Sequence, residues 1–309
     1  MFNEKRFVAD GNGGDSGGAW PDALELRTTA GDSCGTPTDG WLQYPEIATN
    51  DAGDAFVVWM EQRPDDVTEG GADLGGHLIA GRYRNSSCGG WGPVERISTD
   101  AAMHATLPHV ALSDTGDAVI VWREVACANA ECDGEESNGR VAARTRTREG
   151  VYSTNTLHLS EPDVDGFAAI PHVRRSNVAF LPSPSAGGAD AVVVWHGHGS
   201  SSVGGGVYTV YSSLITSTTA AASSAVTLSH ATTAISAAGE ICKLPSLTVS
   251  DDGTGSFAVA WQRDDGVNSR AEVRTYSGPA GEWSAAPVTV SEAGSAAFWA
   301  TPTSDGDGK

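Results

Sequence analysis

An all-β fold assembled from repeated four-stranded antiparallel sheets is what this sequence of 309 residues predicts, on three observations. One strand-like phrase returns four times, as "TNDAGDAFVVW" (49–59), "LSDTGDAVIVW" (112–122) and, more loosely, "SAGGADAVVVW" (185–195) and "VSDDGTGSFAVAW" (249–261). Prolines open successive copies at Pro45, Pro108, Pro171, Pro245 and Pro302, and Trp59, Trp122, Trp195 and Trp261 close the apolar strands at similar spacing. The apolar strands "AVIVW" and "AVVVW" do not alternate with polar residues, so both faces need cover, whereas a simple antiparallel strand turns one face to water.

Each copy reads in the same order. An extended start ("YPEIATN", "LPHVALS", "IPHVRRS", "LPSLTVS") leads into an Asp/Gly turn and the apolar strand. A polar loop follows, then an Arg- or Tyr-bearing strand ("HLIAGRYR", "RVAARTRTR", "VYTVYSSL", "AEVRTYS"), a glycine turn and a last strand such as "GWGPVERIS" or "EWSAAPVTVS". Four short strands with turn signals between them, the second covered on both faces, describe a blade packed between blades, hence a β-propeller. Complete blades are expected at 41–102, 103–163, 164–238 and 239–294. Residues 1–40 read as strands of a terminal blade and 295–309 as the first strand of a truncated one. The whole is a single domain of about five blades, expected to be a fragment of a larger ring because no unit looks adapted to cap the array.

Composition removes several classes of partner. The chain carries 19 basic against 39 acidic side chains, a net charge of -20, and its lysines are Lys5, Lys243 and Lys309. Such a surface repels phosphate backbones and anionic lipid, so neither nucleic acid nor membrane insertion is expected. No stretch approaches the roughly 18 apolar residues of a membrane helix. The cysteines point to an oxidising compartment: Cys127 and Cys132 in "CANAEC" are close enough to close a small disulfide ring, Cys34 reaches Cys88 only if the fold brings them together, and Cys242 is left over. No paired C-x2-C pattern suggests a metal, and no cofactor is expected.

The turn phrase has two readings. Asp and Gly supply the left-handed and side-chain-bonded positions of a tight turn. Calcium binding by "NDAGD", "SDTGD" or "SDGDG" offers too few convergent oxygens for a six- to eight-coordinate ion, so the structural reading is preferred. The tryptophans, ending fully apolar strands, read as packing between blades and not as ligand platforms.

These repeats resemble the blades of bacterial sialidase-like (BNR or Asp-box) propellers, over nearly the whole chain. An Asp-box reads Ser/Thr-x-Asp-x-Gly-x-x-Trp; Thr49-Asn50-Asp51-Ala52-Gly53 fits its opening, and Trp59 follows the glycine at a longer distance. No Arg-Ile-Pro signature occurs. The resemblance is one of architecture, and implies an extracytoplasmic protein, secreted, periplasmic or at the cell surface, with a glycan or protein ligand. A sialidase-like glycoside hydrolase is the alternative.

Strand order locates a working face. The start of each first strand and the end of each second share one rim with the polar loops 60–76, 123–139, 196–206 and 262–268. The residues after the prolines are Glu46, His109, His172, Ser246 and Thr303, so two histidines and a carboxylate are placed to converge on the channel. Ligand type suits a divalent metal or an acid–base pair, though plain channel lining is preferred. Glu61 and Glu124 hold matching places after their tryptophans and would suit glycoside hydrolysis only at a separation of roughly 5–9.5 Å. Arg63, Arg123 and Arg263 on the same rim are placed to grip a carboxylate. Arg82, Arg144 and Arg274 recur within strands and are expected to pair with acids between blades. The reading is a binding module without assigned catalytic residues. For the thiols, mass spectrometry of protein purified without reductant should find Cys127 joined to Cys132; two free thiols there would refute the ring.

Overall fold

Wherever an apolar run is bounded by an Asp/Gly turn and a proline-led start, the backbone is a strand. A computed structural model describes residues 3–4, 24–25, 42–62, 76–87, 90–100, 103–126, 139–160, 174–182, 190–198, 208–219, 226–237, 240–292, 296–298 and 300–303. Strands β1 (Asn3–Glu4) and β2 (Leu24–Glu25) form an antiparallel pair. Then come β3 (Gln43–Thr49), β4 (Ala55–Gln62), β5 (His77–Asn85) and β6 (Gly90–Arg96) as blade one. Blade two is β7 (Met103–Leu112), β8 (Ala118–Ala126), β9 (Gly139–Arg146) and β10 (Leu157–His158). Blade three is β11 (Arg174–Phe180), β12 (Ala191–His198), β13 (Tyr208–Thr219) and β14 (Val226–Ala234). Blade four is β15 (Ile241–Val249), β16 (Phe257–Asp264), β17 (Ser269–Ser277) and β18 (Glu282–Trp283), with β19 (Val288–Thr289) also pairing with β17.

All four sheets are antiparallel meanders, and their first strands are neighbours in chain order: β7 packs on β3, β11 on β7 and β15 on β11. That inner row of first strands, with the sheets fanning outward, is the β-propeller arrangement. The second strands divide their side chains between two cores. Ile120 and Trp122 pack with Phe56 and Val58 of blade one, while Val119 and Val121 pack with Val193 and Trp195 of blade three. Val192 and Val194 likewise pack with Val259 and Trp261 of blade four. The unalternating apolar run is therefore the sequence mark of a strand with a blade on each side. The four tryptophans that close these strands, Trp59, Trp122, Trp195 and Trp261, are fully buried.

The turn aspartates are staples. Asp54 Oδ1 accepts the Ser86 N–H at 2.7 Å and Asp117 Oδ1 the Arg148 N–H at 2.9 Å, each tying the first turn of a blade to its last, and in blade three Asp190 Oδ2 accepts the Ser217 N–H of β13 at 2.6 Å. Ser256 ties first turn to last in blade four, accepting the Gly278 N–H at 3.1 Å. Gly116 sits at φ +92, and a Cβ there would meet Tyr83 Oη at 2.7 Å and Asp54 Oδ2 at 2.8 Å, so glycine alone admits the close approach of blade one. A second device closes each blade outside: Ser98, Ser160, Ser236 and Ser291 accept through Oγ the N–H groups of Ile79, Val141, Val210 and Ala271.

Three expectations need correction or placement. Among the described residues Arg144 and Arg274 pair with no acid; Arg144 Nη1 donates to the Ile97 carbonyl at 2.9 Å and Arg274 Nη1 to the Ile235 carbonyl at 3.0 Å, tying each strand to the end of the preceding blade. Arg82 donates to the Gly92 carbonyl. Arginine–acid pairing between blades one and two falls to Arg146, which grips Glu95 through two 2.7 Å bonds, and to Arg148, whose Nη2 lies 3.2 Å from Asp54 Oδ2. Residues 296–298 and 300–303 form no strand and lie along blade four, where the Ala297 N–H donates to Ser269 O. Cys34, Cys88, Cys127 and Cys132 lie outside the described residues, and Cys242 is a buried free thiol. Replacing Asp190 with alanine removes acceptors for both the Ser217 N–H and its hydroxyl. Equilibrium denaturation should register a loss of about 1.5–3 kcal/mol, the range for hydrogen bonds to a charged group.

Candidate functional site

Each first strand is broken where it passes its tryptophan. In blades one, two and four a bulge sets two residues opposite the single Trp59, Trp122 or Trp261, and the first of the two, Tyr44, Leu107 or Leu244, takes φ of 52, 52 or 53 immediately before a proline. Positive φ costs a residue with a bulky side chain energy, and such bulges re-aim the side chains beside them. The residue leaving the bulge pairs with the one preceding the tryptophan: Glu46 with Val58, His109 with Val121 and Ser246 with Ala260.

In blade three the equivalent bulge holds Arg175 and Ser176 opposite Trp195, and the residue leaving it is Asn177, paired with Val194. The proline phase of the repeat fails here. Pro171 and His172 lie outside the described residues, and the ring position assigned to His172 from sequence belongs to Asn177 by register. Part of the extra length sits in the hairpin between Phe180 and Ala191, and the rest separates Pro171 from the bulge. Trp195 was the reliable marker, since the bulge is fixed opposite it.

Register thus brings Glu46, His109, Asn177 and Ser246 to one level of the four inner strands. His109 Nδ1 lies 3.7 Å from Glu46 Oε1, across the junction of blades one and two, with the carboxylate half-exposed. Ser246 Oγ donates to the Ala300 carbonyl at 2.7 Å. Thr303 is exposed and lies outside any strand.

The remaining candidates sit apart from this ring. Glu61 accepts the Trp59 indole N–H at 2.8 Å and is buried. Glu124, also buried, accepts the Trp122 N–H at 2.9 Å and the Arg140 Nε–H at 2.9 Å, with His158 Nε2 at 3.3 Å. Burial alone would raise the Glu124 carboxyl; the His158 hydrogen bond, the Arg140 charge and the Trp122 N–H outweigh it and hold it below its ordinary value. In blade four the place after the tryptophan passes to Arg263, and the indole of Trp261 donates instead to Glu272 at 3.1 Å from the neighbouring strand. Arg263 Nε meets Glu272 at 2.6 Å and its Nη1 meets Glu240 at 3.4 Å. Arg63 lies outside the described residues, and Arg123 covers Gly139 so closely that a Cβ there would lie 2.9 Å from its Nε.

Glu240, Cys242 and Glu272 bring three ligand atoms within 4.8 Å of one another. They suit a metal poorly: Arg263 already occupies both carboxylates, and burial pushes the Cys242 thiol up to about 12, keeping it protonated.

A second feature lies at the other end of the inner strands, where the first turns of the blades meet. A groove of about 1060 Å³ runs between blades two and three, floored by Val119, Val178, Phe180 and Ile215, with Asp51, Asp114 and Asp251 on its lip. Sequence reading treated these turns one at a time and so missed their shared cavity.

No family model and no curated protein matches the sequence. Among solved structures, the chain is similar to a protein of unknown function from Dyadobacter fermentans, at a TM-score of 0.47 and 9% identity over 81% of this chain and 69% of that one. It is similar also to the GH93 α-L-arabinofuranosidase of Fusarium graminearum with arabinobiose (TM-score 0.46, 14% identity, 93% and 73% covered). A third is a leech intramolecular trans-sialidase (TM-score 0.47, 10% identity, 86% and 53% covered).

Because the fold holds Glu124 ionised, its contribution is present above the carboxyl's ordinary value near 4.5 and is lost as pH falls through the lower folded value. Glu124→Gln should cost about 2 kcal/mol at neutral pH. In denaturant titrations the gap between wild type and variant should close below about pH 4.5; a gap constant down to pH about 3 would contradict the assignment.

Proposed function

We propose that this chain is an extracytoplasmic glycan-binding module that holds its ligand on the inner strands, against Glu46, His109, Asn177 and Ser246. The observation that carries the reading is the register that levels these four residues, one from each blade. A carboxylate, an imidazole, an amide and a hydroxyl supply mixed donors and acceptors, which is what sugar hydroxyls require. Three of the four are partly buried, so a ligand there displaces water without burying a lone charge.

Binding is preferred to hydrolysis because of how the two sequence-matched glutamates are used. Glu61 and Glu124 are each committed to an indole N–H within the packing between strands, and Glu124 to a cation as well. A hydrolytic pair must instead flank an accessible bond. Arg263, spent on Glu272 and Glu240, gives a ligand carboxylate no open grip. Neutral glycans fit this site better than acidic ones.

Calorimetry against a panel of neutral oligosaccharides, arabino-oligosaccharides and 3'-sialyllactose tests the reading. Neutral members should bind, and His109→Ala with Asn177→Ala should weaken that binding at least about tenfold, roughly 1.4 kcal/mol. Reducing sugar released on incubation, or binding indifferent to both substitutions, would reject it.

A further inference from the structure

We infer that the groove at the hairpin-turn face is a separate binding site, for an oligosaccharide whose sugars carry free, protonated amino groups. Its lip is built from equivalent places in three blades: Asp51, Asp114 and Asp251 each follow the first residue of the turn and are exposed, and blade three has Pro182 there. None of the three takes part in the staples, which use Asp54, Asp117, Asp190 and Ser256. The carboxylates of the lip therefore face solvent at the mouth of the cavity.

Charge selects the ligand. Arg146 lines the groove, but its guanidinium is buried, bonded twice to Glu95 and set 4.3 Å over the Tyr83 ring. With that cation spent and three carboxylates at the mouth, in a chain of net charge -20, the potential of the groove is negative and an anionic ligand is repelled. A single metal ion does not answer the geometry. Among the described residues the three-ligand set within 4.8 Å is Glu240, Cys242 and Glu272, and the groove's aspartates form no such set. Carboxylates spread over three blades suit a long ligand with several separate cations, each taken in a charge-assisted hydrogen bond.

Shape and floor select a sugar over a simple amine. About 1060 Å³ is at the upper end of small-ligand cavities and accommodates several sugar rings. At the floor the partly buried Phe180 offers its ring to the apolar face of a sugar, while Val119 and Val178 beneath it are packed into the core. The hydroxyls of Ser113 and Thr115, bonded to each other and to the Asp117 turn, stand beside Asp114.

The test titrates the full chain with a glucosamine hexamer, its fully N-acetylated counterpart and spermine, at slightly acidic pH. The glucosamine hexamer should bind and weaken with added salt, as exposed charge pairs do. The acetylated hexamer and spermine should each bind at least about tenfold more weakly. The triple variant Asp51→Asn, Asp114→Asn, Asp251→Asn should lose the hexamer while keeping its melting curve, and His109→Ala should keep it. Equal binding of the acetylated hexamer overturns the role of charge, equal binding of spermine overturns the sugar, and retention by the triple variant or no binding at all overturns the site. Since His109 belongs to the other site, failure here is read separately from failure of the neutral-glycan reading.

Discussion

Everything in this fold depends on burying the second strand of each blade from both sides. Fully burying an aliphatic side chain is worth roughly 1.5–3 kcal/mol, and the tryptophans bury the largest areas of all. No isolated sheet can collect that energy, because one face of "AVIVW" would remain in water. Blades are thus stable only as neighbours, with Ile120 and Trp122 committed to one junction and Val119 and Val121 to the next. The cost is that each strand brings polar backbone and indole groups into the same dry space.

A repeated polar scheme meets that cost. The indole N–H is answered by Glu61, Glu124 or Glu272, the third-strand N–H by a serine, and the last turn of the blade by the turn aspartate. Leaving any of these unmet in the interior would cost about 1–3 kcal/mol each. Blades one and two answer the indole with the glutamate two residues on, whereas in blade four the acid moves to the adjacent strand and Arg263 takes its old place. What recurs is the physical demand, a carboxylate at the indole, more than a residue number.

That distinction explains how far the sequence could be read. The strands, the blade plan and the two-sided second strand were legible because apolar runs and Asp/Gly turns report directly on burial and backbone shape. The level of Glu46 and His109 on adjoining inner strands was legible too, since the same proline phase serves both blades. Asn177 was hidden because the blade-three bulge holds Arg175 and Ser176 with no proline, so Pro171 no longer marks it, and proline spacing cannot distinguish an insertion before the strand from one after it. The burial of Glu61 and Glu124 was hidden for another reason: two residues past a tryptophan reads equally as rim or interior, and only the reach of the indole N–H decides. The groove was invisible because its lip is assembled from three turns far apart in the chain.

Blade three stands out as the place where the scheme is least complete. Gly197 stands where its neighbours in blades one and two carry glutamate, and among the described residues the buried Trp195 N–H has no hydrogen-bond partner; its ring instead stacks on Tyr211 at 5.7 Å. The same blade has the longer first hairpin, with Pro182 on the lip where the other turns have aspartate. Repeat arrays tolerate such departures because each unit is held mainly by its two junctions, so a blade with sound apolar faces can lose part of its polar bracing. Blade three keeps those faces, with Val192, Val193, Val194 and Trp195 all buried. A blade so held is free to vary at its turn, and it is beside that turn, between blades two and three, that the groove opens.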